Sequence, residues 1–243
     1  MMFRWTEEMI AFMRDADGYS DFHARLAAQL AQLLGARAHV CDAGCGTGAL
    51  ACALAQLYPR VTAVDISPDA AAYVQKSAET LALCNLRVIC GDIAACPPET
   101  AYDAMTFCFF GRIEEILRIG AAQCQGRLAV VMKDYAHHRF SMEKKPLHGH
   151  TAQLAAQELD RLGVPYRLSR LHLEMGQPFR TLADAVRFFQ IYSRDDDPSQ
   201  ITPERVAARL QQTGRTDFPL YLSGERKMGI FLIETENIRE VLK

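Results

Sequence analysis

The segment Val40-Cys41-Asp42-Ala43-Gly44-Cys45-Gly46-Thr47-Gly48-Ala49-Leu50 constrains this chain more than any other. An apolar run ends in an acid, three glycines follow at alternate positions, and the helix-forming run Ala49 to Tyr58 comes next. The pattern predicts a strand, a tight turn and a helix. Residues without side chains in the turn let a ligand lie against the backbone at a helix start, which suits a nucleotide-like cofactor.

The surrounding sequence predicts an α/β fold. Strand-like apolar runs fall at His39–Cys41, Val61–Val64, Leu86–Cys90, Ala104–Phe109 and Leu128–Met132. Helical runs lie between them at Ala49–Tyr58, Asp69–Leu83 and Arg112–Cys124. Strands joined by such crossovers build a parallel sheet with helices on both faces. Helices are expected ahead of the sheet, at about Glu7 to Arg14 and over Ser20 to Leu34, where Phe22, Leu26, Leu30, Leu33 and Leu34 share one face. After Met132 come a polar loop from Lys133 to Gly149, a helix from Thr151 to Leu162 and a strand from Tyr166 to Glu174. Two further helices are expected at Leu182–Tyr192 and Pro203–Gln212, with Phe179, Phe188, Phe189 and Tyr192 as a core face. Phe218–Leu222 and Met228–Glu234 flank Ser223 to Lys227 in the manner of a hairpin.

Composition excludes several function classes. The formal net charge of −2 gives no overall basic field for nucleic acid or membrane. No apolar run approaches the roughly 20 residues of a membrane helix, and Met1 to Glu8 lacks the layout of a signal peptide. The eight cysteines (41, 45, 52, 84, 90, 96, 108 and 124) form no CxxC pair and read as reduced thiols, so a cytoplasmic protein is expected. His137, His138, His148 and His150 lack regular ligand spacing, and Asp195-Asp196-Asp197 reads as a solvated turn; no metal site is expected.

Gly44-x-Gly46-x-x-Ala49 also fits a dinucleotide fingerprint, so the choice of cofactor turns on the acids. Asp42, two residues before the first glycine, would repel a pyrophosphate, whereas it can accept hydrogen bonds from an ammonium or from backbone N–H groups. Asp65 ends the second strand, 21 residues after Gly44, where a carboxylate can accept both ribose hydroxyls. Cys90-Gly91-Asp92-Ile93 closes the third strand; its acid can accept the adenine amino group, with Ile93 packing on the ring.

With these residues the chain resembles a class I S-adenosylmethionine-dependent methyltransferase. Asp42 to Gly48 match the first motif of that family, Val64-Asp65-Ile66-Ser67 the second, and Gly91-Asp92-Ile93 the third. Tyr102 to Cys108 resembles the fourth strand, whose end lies under the methionine part of the cofactor. The resemblance is close over about Ala38 to Met132 and looser to the C-terminal hairpin. It implies a Rossmann-like, mostly parallel seven-stranded sheet with an antiparallel C-terminal strand. The fourth strand runs into Phe109-Phe110-Gly111, not the Asn/Asp-Pro-Pro-Tyr of many base methylases, which argues against nucleic-acid methylation.

The implied cofactor-binding residues are Asp42, Gly44, Cys45, Gly46, Gly48, Asp65, Ile66, Asp92, Ile93, Cys108 and Tyr19. Cys45 reads as a small spacer. Tyr135 and His138, after the fifth strand, are the catalytic candidates. The expected division is 1–37 as N-terminal helices, 38–176 with 217–243 as the Rossmann-like core, and 177–216 as a helical insertion. Trp5 to Phe22 and that insertion would enclose a small-molecule methyl acceptor. A nicotinamide oxidoreductase and a non-catalytic module on a cofactor fold are the alternatives; Asp42 and the long helical lead-in disfavour the first, the intact motifs the second.

Overall fold

The computed structural model describes residues 5–147, 149–194 and 197–241. Met1 to Arg4, His148, Asp195, Asp196, Leu242 and Lys243 lie outside them. The elements in chain order are α1 (Glu7–Tyr19), α2 (Phe22–Leu34), β1 (His39–Ala43), α3 (Ala49–Ala55), β2 (Arg60–Asp65), α4 (Pro68–Thr80), β3 (Leu86–Cys90), β4 (Tyr102–Cys108), α5 (Ile113–Gln123) and β5 (Cys124–Lys133). There follow α6 (Ala152–Leu162), β6 (Arg167–Glu174), β7 (Gln177–Phe179), α7 (Leu182–Tyr192), α8 (Pro203–Ala207), β8 (Gln211–Gln212), β9 (Leu220–Leu222), β10 (Glu225–Glu234) and α9 (Thr235–Val241).

Seven strands form the main sheet in the order β3-β2-β1-β4-β5-β10-β6. β1 pairs in parallel with β2 and β4, and β10 runs antiparallel between β5 and β6. The expected α/β class with one antiparallel C-terminal strand is therefore the observed one. Central strands read as continuous apolar runs because both faces are covered. Phe22, Leu26, Leu30 and Leu34 of α2 pack with α3 and α4 on one face of the sheet. Ile116, Leu117, Leu159 and Ile238 of α5, α6 and α9 cover the other. The end signals are local: Thr151 accepts the Leu154 N–H to open α6, and Gly163 closes it in the left-handed conformation.

A smaller lobe stands beside the sheet. It combines α7, α8 and the three-stranded sheet β7-β9-β8 around Phe179, Phe188 and Phe189. Phe12 of α1 joins this core edge-to-face, with ring centroids 5.3 Å from Phe188 and 6.3 Å from Phe179. The Gln177 side chain donates to the Phe12 carbonyl at 3.0 Å, and Glu8–Arg187 and Asp15–Arg180 pairs tie α1 to the lobe from outside.

Two expectations are corrected. The hairpin of Phe218–Leu222 with Met228–Glu234 does not form: β9 pairs with β7 and β8, while β10 pairs with β5 and β6. The polar residues Glu225 to Lys227, read as its loop, enter the ladder with β6, and Glu174 accepts the Gly224 N–H at 2.8 Å where the chain crosses between sheets. Backbone pairing with an existing strand edge overrides side-chain polarity. The helix expected over Pro203–Gln212 ends at Ala207, because Gln211 and Gln212 pair with β9 instead.

Candidate active site

The first motif folds as a turn wedged between two strand ends. Gly44 and Cys45 donate their N–H groups to the Val64 carbonyl at 2.8 and 3.1 Å, and Gly48 donates to Cys45 at 2.9 Å. Gly44, Gly46 and Gly48 have φ of 68°, 54° and 74°, values that side-chain-bearing residues rarely adopt. Asp65 clamps the turn: one carboxylate oxygen accepts the Gly46 N–H at 2.7 Å and the other the Ser67 N–H at 2.9 Å. A carboxylate offers about four lone-pair positions, so Asp65 keeps capacity for hydroxyl donors.

Asp42 lies beneath this turn and is 1% exposed. Thr106, its neighbour on β4, donates to one carboxylate oxygen at 2.9 Å; the other is buried and has no partner. Burial pushes this carboxyl up to about 7, with Asp65 adding to the rise and the Thr106 bond opposing it. An orphaned, buried acidic oxygen under a glycine cradle fits a cofactor that brings a cationic amine. Burial also raises the Cys45 and Cys108 thiols, which keeps both neutral and inert.

Aromatic rings line the cradle. A Cβ on Gly44 would fall 2.3 Å from the Phe110 ring, and one on Gly46 would fall 2.9 Å from the Trp5 ring. Phe110 is aimed there by Phe109, which follows β4 with φ 56°, and by Gly111 with φ 78°. A positive φ on a bulky aromatic is a genuine outlier, of the kind that gathers at functional sites.

The remaining expected residues divide by position. Ile66 is exposed beside Asp65, with a free apolar face. Asp92 is exposed and accepts the Ala94 N–H at 2.9 Å, whereas Ile93 is buried in the core under α5. Tyr19 stacks on Tyr221 at 4.9 Å and meets Phe218 edge-on, so its contacts are with the small lobe. His138 shares a 3.2 Å hydrogen bond with Ser141, and Tyr135 stands in the field of Arg139. His150 bonds the Gly111 carbonyl at 3.0 Å; among the described residues no three His, Cys, Asp or Glu gather to hold a metal. Thr106 and Phe110 carry roles that the sequence reading missed. Thr106 reads there as a strand residue, and only its position opposite Asp42 gives it meaning.

Comparisons with known proteins bear on the family and the fold. Residues 40–143 match a family model described as a methyltransferase domain. No curated protein matches the chain. Among solved structures, the YcgJ protein of Bacillus subtilis is 14% identical, covering 87% of this chain and 98% of that one, with a TM-score of 0.56. A precorrin 8W decarboxylase of Methanobacterium thermoautotrophicum is 18% identical over 86% and 89%, at 0.51. Geranyl diphosphate C-methyltransferase of Streptomyces coelicolor, solved with magnesium, geranyl diphosphate and S-adenosylhomocysteine, is 11% identical over 87% and 77%, also at 0.51. At such identities the likenesses show the fold.

Proposed function

We propose that this class I S-adenosylmethionine-dependent methyltransferase passes its methyl group to a small-molecule acceptor seated over the carboxyl ends of β1, β4 and β5. The observation that carries the reading is the buried, half-partnered carboxylate of Asp42 beneath the glycine turn. A sulfonium supplies an electrophilic methyl carbon when the cofactor is bound. The chain's own residues bind, orient and exclude water.

Asp42 accepts a hydrogen bond from the cofactor's ammonium through its free oxygen. Asp65 holds the ribose hydroxyls while still clamping Gly46. Asp92 receives the adenine amino group, and the exposed face of Ile66 covers the ring. Ile93 supports that end from the core. Gly44, Cys45, Gly46 and Gly48 would give the backbone surface, and Cys108, at the end of β4, would line it. Trp5 and Phe110, whose rings lie against Gly46 and Gly44, would shield the cofactor from water. Of the catalytic candidates, Tyr135 would face the acceptor, while His138 holds its loop through Ser141. Tyr19 acts through the small lobe, which walls the acceptor pocket together with α1.

Methyl transfer is tested by incubating the protein with methyl-labelled cofactor and a cell extract separated into metabolite, nucleic-acid and protein fractions. Label in the metabolite fraction is the expected result. Label confined to nucleic acid or protein overturns the small-molecule acceptor.

A further inference from the structure

Three cationic side chains that make no ion pair among the described residues gather where β5 ends and β10 begins. Arg226 lies with its guanidinium carbon 5.5 Å from the Phe109 ring centroid and 5.7 Å from that of Phe22. Its Nε is buried without a partner. Arg139 gives one nitrogen to the Met175 carbonyl at 2.9 Å, while its Nη1 is also buried and unpartnered. Lys133 ends β5 in register with Met228, two residues along β10 from Arg226. Among the described residues no carboxylate lies within 4 Å of these three.

The charges feel one another. Burial and Arg226 pull Arg139 down to about 10, and burial with Arg226 and Arg194 lowers Lys133. The nearby acids are engaged elsewhere. Glu174, which faces Arg139, accepts from Tyr221 and Gly224; Asp134 pairs with Arg170, and Glu225 with Lys227. Guanidinium nitrogens shut away from water are normally paired, and like charges held together without an anion oppose folding. A site that keeps them is organised for a negative ligand.

The cluster adjoins the place of methyl transfer. Arg226 packs on Phe109, the residue before Phe110, whose ring lies on Gly44. The Cys108 thiol feels both Asp42 and Arg226, which puts both charges within reach of the end of β4. We infer that the acceptor carries an anionic group, a carboxylate or a phosphate, held by the guanidinium groups of Arg226 and Arg139 with Lys133 beside them. The inference rests on the methyltransferase reading and names the acceptor's class. Guanidinium forks match both oxyanions bidentately, and the rings of Phe22 and Phe109 flank the Arg226 guanidinium.

Calorimetry on the full chain saturated with S-adenosylhomocysteine tests the site, with inorganic pyrophosphate as the phosphate probe and citrate as the carboxylate probe. One probe should bind saturably, the tighter one identifying the acceptor's group. Arg226→Gln and Arg139→Gln should each weaken it about tenfold, equal to about 1.4 kcal/mol. Lys227→Gln, on the opposite face of β10 and 3.6 Å from Glu225, should leave it unchanged. Retained S-adenosylhomocysteine affinity shows that each variant is folded. Equal probe affinity in all variants, or no probe binding by a chain that binds S-adenosylhomocysteine, overturns the anionic acceptor and leaves the cofactor reading standing. Arg226-dependent probe binding by a chain that ignores S-adenosylhomocysteine supports the anion site and contradicts the cofactor reading.

Discussion

Asp42→Asn removes charge from the position where the fold tolerates it least. The carboxyl is pushed from 3.8 up to about 7, chiefly by burial. A carboxyl whose native pKa lies above its unfolded one favours the native state fully only below the unfolded value. That contribution is lost as pH rises from 3.8 through about 7. Complete ionisation therefore opposes folding by about 4 kcal/mol, of which about 3 kcal/mol accrues between pH 5 and pH 9. Asparagine keeps an acceptor for Thr106 but sets an amide where one carboxylate oxygen has no partner, a penalty of about 1–3 kcal/mol that does not change with pH. The pH slope, not the absolute difference, thus isolates the buried charge. Urea unfolding of ligand-free wild type and Asp42→Asn at pH 5, 7 and 9 measures it. The stability difference should move toward the variant by about 3 kcal/mol across that range, while the variant loses cofactor affinity. A difference that stays constant with pH refutes the reasoning, because the carboxylate would then be solvated or paired.

Three further outcomes follow from the same site. Asp65→Ala, which removes the acceptor for the Gly46 and Ser67 N–H groups as well as the ribose partner, should weaken S-adenosylhomocysteine binding by about 1.5–3 kcal/mol in calorimetry; unchanged affinity would make it a solvated strand end. Cofactor affinity should rise roughly tenfold from pH 6 to pH 8, because the ammonium requires ionised Asp42 and its free-state value is about 7; a flat profile, with Asp42→Asn equally flat, contradicts this. Trp5, the single tryptophan, lies on Gly46, so its fluorescence should change saturably with S-adenosylhomocysteine, and an unresponsive Trp5 would place it outside the site.

Different parts of this molecule were legible for different reasons. The glycine turn announces itself because left-handed backbone and close approach permit few residues, and the acids at the ends of β1, β2 and β3 stand at positions that strand lengths dictate. Continuous apolar runs marked the parallel strands because both of their faces are covered. Thr106 was not legible, since a hydroxyl within a buried strand says nothing until its neighbour is known. Phe110 depends on the unusual φ of Phe109, which no propensity anticipates. Arg139 and Arg226 sit in distant polar segments that read as solvated, and only the crossing of β10 into the main sheet brings them together. That crossing also explains the misread hairpin: the β6 edge captured residues whose side chains look like a loop. Tyr19 reads as a residue over the cofactor, but stacking on Tyr221 draws it to the small lobe.

Titration calorimetry of the ligand-free protein with S-adenosylhomocysteine and, separately, with NAD tests the central claim most directly. One-to-one, saturable binding of S-adenosylhomocysteine, abolished by Asp42→Ala in a folded chain, with no comparable binding of NAD, is the predicted result. Tighter NAD binding, or S-adenosylhomocysteine affinity indifferent to Asp42→Ala, would contradict it.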